Sequence, residues 1–220
     1  MKTLQPMQRF LLVQLKSKFY NVVRFAPRAT RVLDVGVANR SAFEMKQVLP
    51  HCQYHGLDRE AAFDPAERAL MDRFFTVDLE ADPLRSVERG GYDLVVINHV
   101  LEHVANGLEV VGQAVACLRP GGVLYLEVPN VLSLGRVASR VSYHFHDDPT
   151  HKRLYTPEDL CNAVMDAGGK VLACGAAGTP WKTLMAIPRA LLGLLRGQAV
   201  GHLFVHSRGA ITYLAATRPG

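Results

Sequence analysis

The stretch RVLDVGVANRS, residues 31–41, reads as a buried strand that breaks at a glycine and runs straight into a helix. Arg31 to Val35 is a short, mostly apolar and β-branched run, and Gly36 frees the backbone for a tight turn. Ser41 then precedes a helical pattern over Ala42 to Leu49. A strand feeding directly into a helix is half of a βαβ unit, so the neighbouring segments should alternate in the same way.

They do. Further strands are predicted at Gln53 to Leu57, Phe74 to Val77, Tyr92 to Asn98, Val123 to Val128, Lys170 to Cys174 and Ala210 to Ala216, with helices over Leu108 to Leu118 and Pro157 to Ala167. The last helix is fully punctuated: Thr156 as N-cap, Pro157 at the first helical position, Asp159 placed for a capping box, and Gly168-Gly169 beyond the end. Arg119-Pro120-Gly121-Gly122 supplies a turn before Val123. Residues 1–26 place Met7, Phe10, Leu11, Leu15, Phe19, Val22 and Val23 near helical spacing, which predicts one amphipathic helix ended by Pro27. The expected organisation is a 1–28 N-terminal helix and a 29–220 α/β domain with a variable insertion at about 176–208.

Bulk properties narrow the class. A chain of 220 residues, 49% hydrophobic, can bury one sizeable core, and a net charge of +5 without a dense basic run favours an anionic partner only weakly. Cys52, Cys117, Cys161 and Cys174 contain no C-x-x-C spacing and read as reduced thiols. No apolar run matches a signal peptide or a bilayer span, so the expectation is a cytoplasmic protein with room for peripheral membrane contact.

Ligands of open α/β sheets bind beyond the carboxyl ends of the strands, where the strand order reverses. Three consecutive ends carry acids there: Asp34 at the first turn, Asp58 22 residues after Gly36, and Asp78 followed by Leu79. The fourth ends in Asn98-His99, followed by LEHV over residues 101–104. The dinucleotide pattern G-x-G-x-x-G fails, because Ala38 and Ser41 occupy its second and third glycine positions.

Together RVLDVGVANRS, YHGLD, FFTVDL, YDLVVINHVLEHV and CLRPGGVLYLEVPN resemble, in order and spacing, the motif series of class I S-adenosylmethionine-dependent methyltransferases. DPTHKRLYTPEDL is similar to segments of bacterial enzymes that methylate small molecules in sugar, lipid and quinone pathways. The resemblance implies a doubly wound, Rossmann-like seven-stranded sheet, mostly parallel, with an antiparallel last strand inserted beside the sixth. The long connection 175–209 agrees, because no short hairpin explains it.

The resemblance also implies roles and a cofactor, S-adenosylmethionine. Asp34 and Gly36, with Ala38 in the turn, frame the methionine end; Asp58 takes the ribose; Asp78 and Leu79 flank the adenine; Asn98 and His99 line the floor. The family's turn is usually G-x-G-x-G, and Ala38 and Arg40 replace its second and third glycines, which leaves a catalytically silent binding protein as the alternative.

An oxygen acceptor also needs a base, most often histidine. The candidates are His103, His146 and His151, the latter two in a polar lid with His144 and Asp147, and no metal is expected. Tyr143 and Tyr155 either shape the acceptor pocket or are loop aromatics. The expected acceptor is a small molecule, a sugar or a lipid-linked group rather than nucleic acid. The N-terminal helix and Leu184 to Leu195 are expected to share an apolar surface against a membrane or a hydrophobic acceptor.

Overall fold

The computed structural model describes residues 4–134, 144–181, 184, 185, 188, 192, 195 and 210–220. Two helices, α1 (Pro6–Leu15) and α2 (Ser17–Phe25), precede β1 (Arg31–Val35), α3 (Ser41–Val48), β2 (Gln53–Asp58), α4 (Pro65–Arg68), β3 (Arg73–Thr76) and β4 (Tyr92–Asn98). Then come α5 (Gly107–Cys117), β5 (Leu118–Pro129), α6 (Pro157–Asp166), β6 (Lys170–Ala176) and β7 (Ile211–Thr217). The seven strands lie in the order β3-β2-β1-β4-β5-β7-β6. β1 to β5 pair in parallel, and β7 runs antiparallel between β5 and β6, which is the Rossmann-like methyltransferase arrangement.

Alternation along the strands divides the core into two layers. On one face Leu33, Val35, Val95, Ile97, Leu124 and Leu126 pack under Val110, Val111, Ala114, Leu160 and Val164 of α5 and α6. On the other, Val32, Leu94, Val96 and Tyr125 meet Phe19 and Val22 of α2 and Ala42 and Met45 of α3. The order reverses between β1 and β4, and their carboxyl ends open the crevice where such sheets bind ligands.

The N-terminal segment differs from the single helix expected. Lys16 adopts extended angles (φ −113°, ψ 115°) and separates α1 from α2. The break lets α2 insert Phe19, Asn21 and Val22 into the core, whereas no residue of α1 is buried. Its two flanking lysines are drawn to different elements, Lys16 to Glu44 (2.6 Å) and Lys18 to Asp34 (2.7 Å).

Helix α3 has no local cap, since its N-cap position is Arg40 in the left-handed region (φ 75°). A buried carboxylate does the work from a distance: Glu67 of α4 accepts from the Ala42 N–H at 2.7 Å and the Phe43 N–H at 3.4 Å. At α6, by contrast, the local capping box forms as expected, with Asp159 N–H on Thr156 Oγ1 (3.1 Å) and Thr156 N–H on Asp159 Oδ2 (3.0 Å). The Arg119 to Gly122 turn is a bulge within β5, between the pairs Tyr92 with Leu118 and Leu94 with Val123. Its Gly121, at φ 76°, is pinned by an N–H bond to Arg218 O at 2.8 Å.

Asp93 locks the starts of β1 and β4. Its carboxylate accepts from Thr30 N (2.7 Å), Thr30 Oγ1 (2.6 Å) and Arg31 N (2.9 Å), and pairs with Arg119. Burial pushes its pKa up, but the bonds from Thr30, Arg31 and Arg119 outweigh burial and hold it below the ordinary carboxylate value. Asp93→Ala should therefore destabilise the fold by about 3 kcal/mol in urea unfolding, because the part-buried donors of Thr30 and Arg31 lose their shared acceptor. The contribution of Asp93 should be complete above the unfolded-chain carboxylate pKa, near ~3.9, and should be lost only as pH falls through the lower native value. A variant as stable as the parent at neutral pH would contradict this.

Candidate active site

A cavity of about 500 Å³ lies at the strand ends, between Gly36, Leu57, Asp58, Val77, Asp78 and Leu79 on one side and His99, Val100, His103, Pro149, Thr150 and Lys152 on the other. The size suits a small organic ligand. Gly36 shapes its floor: at φ 74° the backbone turns from β1, and the Gly36 N–H bonds Leu57 O at 2.8 Å. A Cβ there would lie 2.1 Å from Val100 Cγ2, so no side chain fits.

Around this floor Asp58 is partly buried, with Oδ1 accepting from the Glu60 N–H at 3.0 Å. Asp78 Oδ1 likewise caps the Glu80 N–H (3.0 Å), and Leu79 is buried beside it with its carbonyl accepting from Asn106 Nδ2. Both acids thus sit in rigid Asx-type turns on the cavity wall.

His99 is held in the left-handed region at φ 56° by its N–H bond to Glu127 O (2.9 Å). Its ring lies between two buried carboxylates, Nδ1 at 3.2 Å from Glu102 Oε1 and Nε2 at 3.9 Å from Glu127 Oε2. Burial pulls its pKa down, yet the bond to Glu102 and the charges of Glu102 and Glu127 win, and the net shift is upward. The adjacent Asn98 Oδ1 is buried without a hydrogen-bond partner, an acceptor left open at the end of β4.

The far wall is the loop 148–153, clamped onto the LEHV turn. Lys152 N–H and Arg153 N–H both bond Glu102 O (2.7 and 3.3 Å), and Lys152 Nζ reaches Glu80 Oε1 at 2.7 Å. This clamp carries Thr150 to His103, with Oγ1 and Nδ1 2.8 Å apart, and His151 against the His103 ring at a centroid distance of 4.8 Å. Ligating atoms of Glu102, His103 and His151 lie within 4.8 Å of one another, close enough to share an ion.

Five expected site residues do not line the cavity: Asp34, Ala38, Asn98, His146 and His151. Asp34 is buried below the turn, its Oδ2 accepting from Lys18 Nζ and Tyr54 OH at 2.7 Å each, and it does not line the cavity. Ala38 is exposed on the turn and lies outside the cavity wall. His146 is exposed, stacked on His144 and Phe145, and is also absent from the wall, because the short helical turn 145–147 directs it outward. His151 is buried behind His103, with Nδ1 2.6 Å from Phe145 O. Tyr155 is a core residue whose OH donates to Val104 O at 3.1 Å, and Tyr143 lies outside the described residues. Arg40 is exposed and faces Glu44 at 4.0 Å. Sequence reading missed Val100, Glu80, Thr150 and Lys152; only the loop clamp brings the last two to the cavity.

A profile of methyltransferase domains matches residues 7–173. The chain belongs to this methyltransferase family. It is 34% identical over 105 residues to a ubiquinone biosynthesis O-methyltransferase of Methylobacterium sp. (strain 4-46), a match covering 44% of this chain and 42% of that protein. The chain thus spans less than half the length of that relative. Among solved structures, a methyltransferase bound to the Haloferax volcanii Trm112 activator aligns with TM-score 0.68 at 15% identity, covering 97% of this chain and 92% of its own. A SAM-dependent methyltransferase from Archaeoglobus fulgidus aligns with TM-score 0.58 at 17% identity, covering 94% and 93%. Motif order, the family match and the sheet topology agree on a class I methyltransferase domain.

For this methyltransferase, Asp58→Ala should weaken S-adenosylhomocysteine binding by roughly 2 kcal/mol, about 30-fold, in calorimetry, with little change in melting temperature. Unchanged affinity would mean that the ribose is held by other groups.

Proposed function

We propose that this enzyme methylates a hydroxyl oxygen of a small-molecule, sugar or lipid-linked acceptor, with S-adenosylmethionine as donor and His103 as general base. The observation that carries the reading is the hydrogen-bond chain behind His103. Thr150 Oγ1 donates its proton to Asp148 Oδ1 at 2.6 Å, so at 2.8 Å it can only accept from His103 Nδ1–H. In the neutral ring that fixes the tautomer with Nε2 as the acceptor nitrogen, on a residue of the cavity wall.

The residues present suit the donor. Gly36 leaves the backbone bare where a side chain would collide, and Asp58 offers a carboxylate for a ribose diol on the cavity wall. When bound, S-adenosylmethionine supplies a methyl on a sulfonium sulfur that departs as a neutral thioether. The chain's own task is alignment and proton removal. Asp58 and the Gly36 turn orient the donor, the 148–153 loop walls off the acceptor side, and His103 Nε2 receives the proton as the oxygen to methyl bond forms.

Proton removal here is proposed to need no metal, since His99 already lies against Glu102 Oε1 as its counter-charge. Relatives named as ubiquinone biosynthesis O-methyltransferases support an oxygen acceptor.

His103→Gln should lower kcat by about 10² to 10⁴-fold while S-adenosylhomocysteine affinity stays within error. Chelation by EDTA should leave the rate unchanged. A rate that collapses with chelator and returns with a divalent ion would reassign Glu102, His103 and His151 as ligands.

A further inference from the structure

All 20 acidic residues of the chain lie between Asp34 and Asp166. Residues 1–33 and 167–220 carry no carboxylate side chain at all, yet they hold 13 of the 25 lysines and arginines. The middle of the chain is therefore net acidic, and the net positive charge of the protein arises from its two flanking segments.

The fold brings parts of these two segments together. Trp181 packs edge-on against Phe10 of α1 at a centroid distance of 6.4 Å, and Thr179 Oγ1 donates to Gln14 O. Around this junction the apolar side chains face outward. On α1 Met7 is 67% and Phe10 50% exposed, with Leu11 beside them. Beyond the junction Trp181, Leu184, Pro188, Leu192 and Leu195 are helical and exposed, Leu184 at 60% and Leu195 at 84%. Their spacing of three or four residues places them on one helical stripe. Of the basic residues nearest α1 and α2, Arg9, Arg24 and Arg28 pair with no carboxylate among the described residues.

We infer that the exposed apolar side chains of α1 together with Trp181, Leu184, Leu192 and Leu195 form a docking surface for an anionic lipid bilayer. Exposed leucine, phenylalanine and tryptophan on segments whose sequence carries cations and no acids match the two components of such a surface: acyl chains for the apolar side chains and headgroup phosphates for the basic ones. Nucleic acid would call on the same charge but not on outward leucines. No helix among the described residues is long and apolar enough to cross a membrane, so the contact is peripheral. The inference is independent of the acceptor and of His103.

The test is flotation of the full chain with phosphatidylcholine vesicles, with and without phosphatidylglycerol. The protein should float with the anionic vesicles and stay at the bottom with the neutral ones, and high salt should release it. Phe10→Glu and Leu195→Glu should each reduce partitioning roughly tenfold, and so should Arg24→Glu with Arg28→Glu. Calorimetry with S-adenosylhomocysteine on the same variants should be unchanged, which separates loss of docking from loss of fold or of the cofactor site. Three results would overturn the inference: no flotation on anionic vesicles; flotation indifferent to Phe10→Glu and Leu195→Glu and abolished by duplex DNA, which marks a nucleic-acid surface; or concentration-dependent dimers lost in those variants without any lipid binding, which marks a second copy as the occupant.

Discussion

Everything at the ligand-binding rim depends on one residue without a side chain. Gly36 ends β1, takes a left-handed φ, donates its N–H to Leu57 O of the neighbouring strand and lies under Val100 just past β4. Three strand ends are thereby held at one point. A Cβ would force Val100 away, and with it the start of the LEHV turn that carries Glu102 and His103. The constraint is steric and conformational at once, which is why the two later changes in the turn, Ala38 and Arg40, are tolerated: both point to solvent, although Arg40 keeps the left-handed conformation a glycine would adopt more readily.

A second theme is the use of buried carboxylates as remote fasteners. Asp93 joins β1 to β4, Glu67 caps α3 from α4, and Asp34 ties β1 to α2 through Lys18 and to β2 through Tyr54. Each satisfies donors that would otherwise be stranded, so each is worth its desolvation only in the assembled fold. Glu102 and Glu127 belong to the same class, but their shared partner is His99, a residue on the cavity wall in a strained conformation. Strain and buried charge thus concentrate where the chemistry is expected.

The loop 148–153 converts a sheet edge into a closed wall. Its backbone hangs on the carbonyl of Glu102, its lysine on Glu80, and its threonine orients the His103 ring. Glu80 and Glu102 are far from the loop in sequence, yet the carboxylate of one and the carbonyl of the other hold it in place. The cavity is therefore bounded by the loop as well as by the strand turns.

What the sequence determined was the set of elements and the location of the rim. Alternating apolar runs, the capping box at Thr156 and the glycine at position 36 are local signals, since periodicity, caps and positive φ are set by near neighbours. Asp58, Asp78, Leu79, His99 and His103 reached the cavity for the same reason: strand ends are countable from sequence. The tertiary structure alone decided which acids turn inward and which face the cavity, because alternation assigns Asp34 to the α2 face while turns leave Asp58 and Asp78 on the rim. It alone divided the N-terminal segment at Lys16, supplied Glu67 as a distant cap, directed His146 outward and brought Thr150 to His103. Apart from His146, set by its own short turn, those outcomes depend on contacts between residues more than twenty positions apart, and no local pattern of residue types encodes them.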